Sequence, residues 1–175
     1  MTTHSTGNTG STDTTHDART ERYDLGPLSA DRGERKATRP GPSGSVSAGL
    51  LLVRLVLGAV FIAHGTQKLW IDGLAATQDG FAGMGVPFPE IAAIVVIAVE
   101  IGGGALLVLG LGTRIVAALL AVNMGVALVL VHLAAGFFAA DGGYEFVLTL
   151  GVVALALVLT GPGRIAVDAA FRRRR

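Results

Sequence analysis

The sequence predicts an all-α protein, an integral membrane four-helix bundle preceded by a disordered polar tail. Three observations lead there. Half of the 175 residues are hydrophobic (51%), and residues 48–163 carry almost all of the aliphatic content. That block divides into apolar runs of helical length separated by glycine, proline and charge. The basic residues cluster so that an even number of membrane crossings puts nearly all of them on one side.

Residues 1–45 are rich in Thr, Ser, Gly, Asp and Arg and are interrupted by Pro27, Pro40 and Pro42. Such a stretch has too little apolar surface to offset its chain entropy, so a disordered cytoplasmic tail is expected. It is too long and polar for the front of a signal peptide. The first apolar run is followed by His64-Gly65-Thr66-Gln67-Lys68 rather than a small-residue cleavage site. That run is therefore expected to stay as a membrane anchor.

The first run covers about Ala48 to Ala63 and extends to Leu69; the second covers Ile91 to Leu111, the third Ile115 to Ala135 and the fourth Phe146 to Thr160. A bilayer core of about 30 Å needs about 20 apolar helical residues. The second and third runs satisfy this directly, while the first and fourth must recruit flanking residues. Gly110-Leu111-Gly112-Thr113-Arg114 is short enough to make the second and third helices antiparallel neighbours. Gly161-Pro162-Gly163 ends the fourth helix. Between the first two helices, Trp70–Pro89 mixes Leu74, Phe81, Met84 and Phe88 with turn formers, as in a short interfacial or re-entrant piece. The bundle domain is expected to span residues 46–168, with a basic C-terminal tail over 169–175.

Arg19, Arg22, Arg32, Arg35, Lys36 and Arg39 precede the first helix, Arg114 lies in the second turn, and Arg164 and Arg172 to Arg175 follow the fourth helix. The opposite loops carry Lys68 among Asp72, Asp79, Asp141 and Glu145. The positive-inside rule then puts both termini in the cytoplasm of a multi-pass plasma-membrane protein whose first partner is the lipid bilayer. The formal net charge of +1 gives no basis for nucleic-acid binding. With no cysteine, the chain cannot itself carry out thiol–disulfide chemistry or bind an iron–sulfur cluster.

Glu100 is the residue most expected to matter. It is a carboxylate in an otherwise uncharged apolar run, directly before Ile101-Gly102-Gly103-Gly104. Burying such a charge at bilayer depth costs about 2.5–3.5 kcal/mol, so it should face a partner or a cavity. At about 100° per residue, Arg54, Gly58, Phe61, Gly65 and Lys68 share one face of the first helix. Ala93, Val96, Ile97, Glu100, Gly103, Gly104 and Leu107 share one face of the second. Counting depth from the ends of the apolar runs puts Arg54 within about a turn of Glu100. An Arg54–Glu100 pair is expected, either locking two helices or serving substrate and proton chemistry as the catalytic pair. Asn123 is placed to bond into it. His132 is nine residues beyond Asn123, about 180° away on a straight helix, so both reach one cavity only across a bend.

His64, Lys68, His132 and Glu145, with Asp141, fall near the outer helix ends. They are the candidates for binding a quinone head group, with Phe61, Phe137 and Phe138 beside it. Interfacial snorkelling explains each charge separately. Two histidines and a carboxylate suit a metal, but no local ligand motif appears and no metal site is assigned.

The ordered pieces Arg54…Gly58…Phe61…His64-Gly65…Lys68-Leu69, Phe81…Gly85…Pro87, Glu100…Gly102-Gly103…Leu106…Gly110, Thr113-Arg114…Ala117, His132…Gly136-Phe137-Phe138, Glu145 and Gly161-Pro162-Gly163-Arg164…Asp168 resemble the DoxX family of small four-helix bacterial membrane proteins. The resemblance covers about residues 48–168. It implies a quinone-linked oxidoreductase subunit or accessory protein working with a soluble or membrane redox partner. Some wider relatives act in thiol redox, which a cysteine-free chain cannot do alone. The alternative is a non-enzymatic membrane scaffold whose tail recruits a soluble oxidative-stress partner.

Overall fold

The computed structural model describes residues 43–173, and the tail expected over residues 1–45 lies almost wholly outside them. Helix α1 (Gly44–Thr66) starts where Ser43, just past Pro42, accepts a hydrogen bond from the Val46 amide at 3.4 Å. It runs into a π-helical turn, Gln67–Ile71. The piece expected to be interfacial or re-entrant forms a ten-residue helix, α2 (Leu74–Gly83). Helix α3 (Pro89–Leu109) opens with its proline at the first position, where the missing N–H is not needed. It closes on Gly110 (φ 70°), with Leu111 N–H bonded to Leu106 and Gly110 N–H to Leu107.

Helix α4 (Thr113–Ala127) follows at once and continues through a second π turn, Leu128–His132, to Ala135. After a loop, α5 (Glu145–Thr160) returns, and Gly161 (φ 76°) ends it. Helix α6 (Val167–Arg173) runs through the boundary expected at residue 168.

The four long helices run antiparallel in chain order, as glycine contacts show. A Cβ on Gly58 would stand 2.6 Å from the Gly104 carbonyl oxygen, and one on Gly104 would stand 2.7 Å from that of Gly58. Only two glycines allow this approach of α1 to α3, the small-residue packing common between membrane helices. On the next seam Gly103 (α3) meets Leu120 (α4), and Gly151 (α5) meets Met124 (α4). Leu57, Phe61, Leu107, Leu120, Ala154 and Leu157 fill the centre.

The outer surface is apolar. Leu52, Val56, Ile94, Val122, Leu155 and Leu159 are all more than half exposed. A water-soluble monomer does not present so continuous an apolar surface. Three helical stretches, Gly44–Ile71, Pro89–Leu109 and Thr113–Ala135, are long and apolar enough to cross a membrane, and each buries under a third of its most apolar window. The fourth, α5, is apolar but has only 16 residues. The molecule is a helical membrane protein.

Candidate binding cavity and its buried ion pair

Glu100 is 3% exposed and is held by two neighbours. Lys68 Nζ donates to its Oε2 at 2.7 Å, and Asn123 Nδ2 donates to its Oε1 at 3.3 Å. Lys68–Glu100 is the one salt bridge among the described residues. The expected Arg54–Glu100 pair does not form. Arg54 instead donates to the carbonyls of Pro162 (2.9 Å) and Ile165 (2.8 Å).

The register of the two antiparallel helices explains the correction. Arg54 lies opposite Gly110, Gly58 opposite Gly104, and Gly65 opposite Glu100 and Ile101. Arg54 is thus eleven residues, or about 16 Å, along α1 from the level of Glu100. Counting from the run ends assumed that the helices start level. In fact α1 begins well past the α3–α4 turn, packed against the chain after α5, where Ser47 Oγ accepts from the Arg164 amide at 3.3 Å.

Lys68 sits in the first π turn and His132 at the end of the second. A π turn fits one extra residue into the helix and rotates everything beyond it. With one residue absorbed, His132 stands about 80° from Asn123 rather than about 180°. This is the bend that the two residues needed, and both line one cavity of about 410 Å³. The widened backbone at Lys68 is itself tied down, since the Thr77 hydroxyl of α2 reaches the Lys68 carbonyl at 2.9 Å. His132 Nδ1 is 2.7 Å from the Gly142 carbonyl. A carbonyl only accepts, so Nδ1 carries the proton, and Nε2 is the acceptor whenever the ring carries that proton alone.

Of the residues expected at a head-group site, His64, Lys68 and His132 line this cavity together with Glu100 and Asn123. Phe61 lines it too, beside Phe81 and Phe146. Glu145 does not; its carboxylate accepts from the Ala139 amide at 2.7 Å and pins the loop before α5. Asp141, Phe137 and Phe138 are also absent from the wall, and Phe137 packs edge-on against Phe138 and Tyr144. Phe146, not singled out from the sequence, packs against His64 with ring centres 5.9 Å apart. Among the described residues no three His, Asp or Glu side chains converge as a metal site would require.

Arg54 and the residues around it form a separate cluster at the opposite, basic end. Asp168 accepts from the amides of Gly112 (2.9 Å) and Thr113 (3.1 Å), capping α4. Arg54 is 1% exposed, and its Nε has no partner among the described residues. It closes the bundle onto the segment between α5 and α6 and does not line the cavity that holds Glu100.

The helix lengths, the outward apolar surface and a buried ion pair facing a cavity define the class: a small helical-bundle membrane protein with a buried ion pair beside a mainly apolar cavity. The DoxX family model matches residues 49–133. The chain is 36% identical over 124 residues to "Putative oxidoreductase CatD" of Bacillus subtilis, covering 71% of this chain and 87% of that protein. It is 32% identical to "Uncharacterized membrane protein Rv3486" of Mycobacterium tuberculosis, over 71% of this chain and 82% of the relative. It is 31% identical to "Inner membrane protein YphA" of Escherichia coli, over 68% and 87% respectively. The chain belongs to the DoxX family. No solved structure matches it significantly.

Proposed function

We propose that the cavity binds the head group of a quinone and that the protein is the quinone-binding membrane subunit of an oxidoreductase system. The observation that carries this reading is a mainly apolar cavity of about 410 Å³ with a paired buried carboxylate in its wall. A site of this kind takes an apolar ligand and orients it with a few polar groups. Lys68 uses one of its three N–H donors on Glu100 and keeps the others for a quinone carbonyl. The second Asn123 amide hydrogen is a further donor. His132 Nε2 is an acceptor for a quinol hydroxyl, and Glu100 is the group placed to take or return a proton.

The chain has no cysteine, so any thiol or iron–sulfur step of such a system belongs to a separate redox partner. The relative named an oxidoreductase is in keeping with such a system. The distribution of Lys and Arg favours the plasma membrane with both termini cytoplasmic, which puts the cavity toward the outer face. Extraction in mild detergent followed by mass spectrometry of bound lipophiles tests the reading. Quinone should co-purify with the wild-type chain and be lost from Lys68→Met. Equal recovery from both would contradict it.

A further inference from the structure

The cavity is not closed equally on all sides, and its open side selects a ligand. Toward the basic end the α3–α4 seam is shut, because Gly103 meets Leu120 and Glu100 meets Asn123. Beyond that level the walls are Ala92 and Val96 of α3 and Val126 and Leu130 of α4. Val126 is 49% exposed and Leu130 42% exposed, so each borders both the cavity and the outer surface. Neighbouring Ile94 and Val122 face outward and are also exposed. Residues 91–99 and 121–131 contain no charged side chain. The α1–α5 side is filled instead, by His64 packed on Phe146. Phe81, Met84 and Val86, from α2 and the loop after it, line the cavity with apolar groups.

We propose that the α3–α4 seam, bordered by Ala92, Val96, Val126 and Leu130, is a lateral portal, and that the ligand is an amphipathic molecule whose long apolar tail passes through it into the bilayer. This rests on the reading of the cavity as a head-group site. Lys68, Glu100 and Asn123 lie on the closed side of the cavity, His132 lies past the opening at the outer end, and only apolar side chains border the opening itself. The polar end of a ligand is thereby drawn inward and its tail is left at the seam. A cavity of about 410 Å³ is near the small end for ligand sites. It accommodates a head group and the start of a tail, and the remainder must lie outside.

The test uses the full-length protein in nanodiscs and two probes, a quinone with a tail of several isoprene units and the same head group without a tail. Val126→Trp and Ala92→Phe narrow the seam and leave Lys68, Glu100 and Asn123 untouched. They should weaken binding of the tailed probe by about tenfold or more beyond any loss they cause for the tail-less probe. Equal losses for both probes, or no loss for either, would overturn the portal.

The cysteine-free chain supplies a milder variant. Leu130→Cys should react with a membrane-partitioning maleimide and be protected by the tailed probe but not by the tail-less one. Protection by neither would also overturn the portal. The two readings fail separately. If the wild type binds the tail-less probe and Lys68→Met abolishes that binding while the seam variants change nothing, only the portal is lost. If the wild type binds neither probe, both readings fall.

Discussion

The two ends of the bundle each bury a charged side chain and use it differently. At the basic end, Arg54 is spent on the backbone: it holds the carbonyls of Pro162 and Ile165, while Asp168 caps α4. At the other end, Glu100 and Lys68 satisfy each other and still face open volume. A buried charge in a membrane helix therefore does not by itself mark a site. What separates the two is whether the polar atoms end on the protein's own backbone or retain bonding capacity toward a cavity.

Substitutions should sharpen this difference. The largest effect is expected at the ion pair. Lys68→Met leaves Glu100 buried without its cation and should lower stability by about 3–5 kcal/mol, read as the unfolding midpoint in detergent. Pairing it with Glu100→Gln removes the orphaned charge and should restore most of that loss. A double variant as unstable as Lys68→Met would show that the pair is not what holds these helices.

At the basic end, Arg54→Gln gives up hydrogen bonds from a charged donor and should lose about 1.5–3 kcal/mol. Its ligand binding should be that of the wild type, and a fall in binding out of proportion to stability would break the contrast between the ends. Gly104→Ala places a methyl 2.7 Å from the Gly58 carbonyl oxygen, so about 1–3 kcal/mol is expected from overpacking in the same unfolding assay. The smallest effect is at the cap, where Asp168→Ala should cost about 0.5–2 kcal/mol and leave the cavity unchanged.

Much of the fold was legible because the bilayer imposes simple rules on length, apolarity and charge placement. The apolar runs located α1, α3, α4 and α5, and Gly110 to Arg114 fixed an antiparallel neighbour. Glu100 and its contact with Asn123 were readable for the same reason, as polar groups too costly to leave unpaired in lipid.

The partner of Glu100 was not, because depth measured from run ends ignores the stagger of α1. The glycines held the missing signal. Matching Gly58 to Gly104 in antiparallel register brings Gly65 within about a turn of Glu100, and Arg54 within about a turn of Gly110. The π turns that bring Lys68 and His132 into the cavity have no such pattern, since one absorbed residue leaves the hydropathy almost unchanged. Glu145 looked like a site residue because it shares a loop end with His132, but the short path to the Ala139 amide claims its carboxylate.

The central claim is that the Lys68–Glu100 pair serves a quinone rather than only joining α1 to α3. Quinone titration of the Lys68→Met/Glu100→Gln double variant beside wild type, in nanodiscs, tests it most directly. The predicted result is a folded protein of near-normal stability that no longer binds quinone. Binding equal to wild type in that folded variant would contradict the claim and leave the pair as a structural tie.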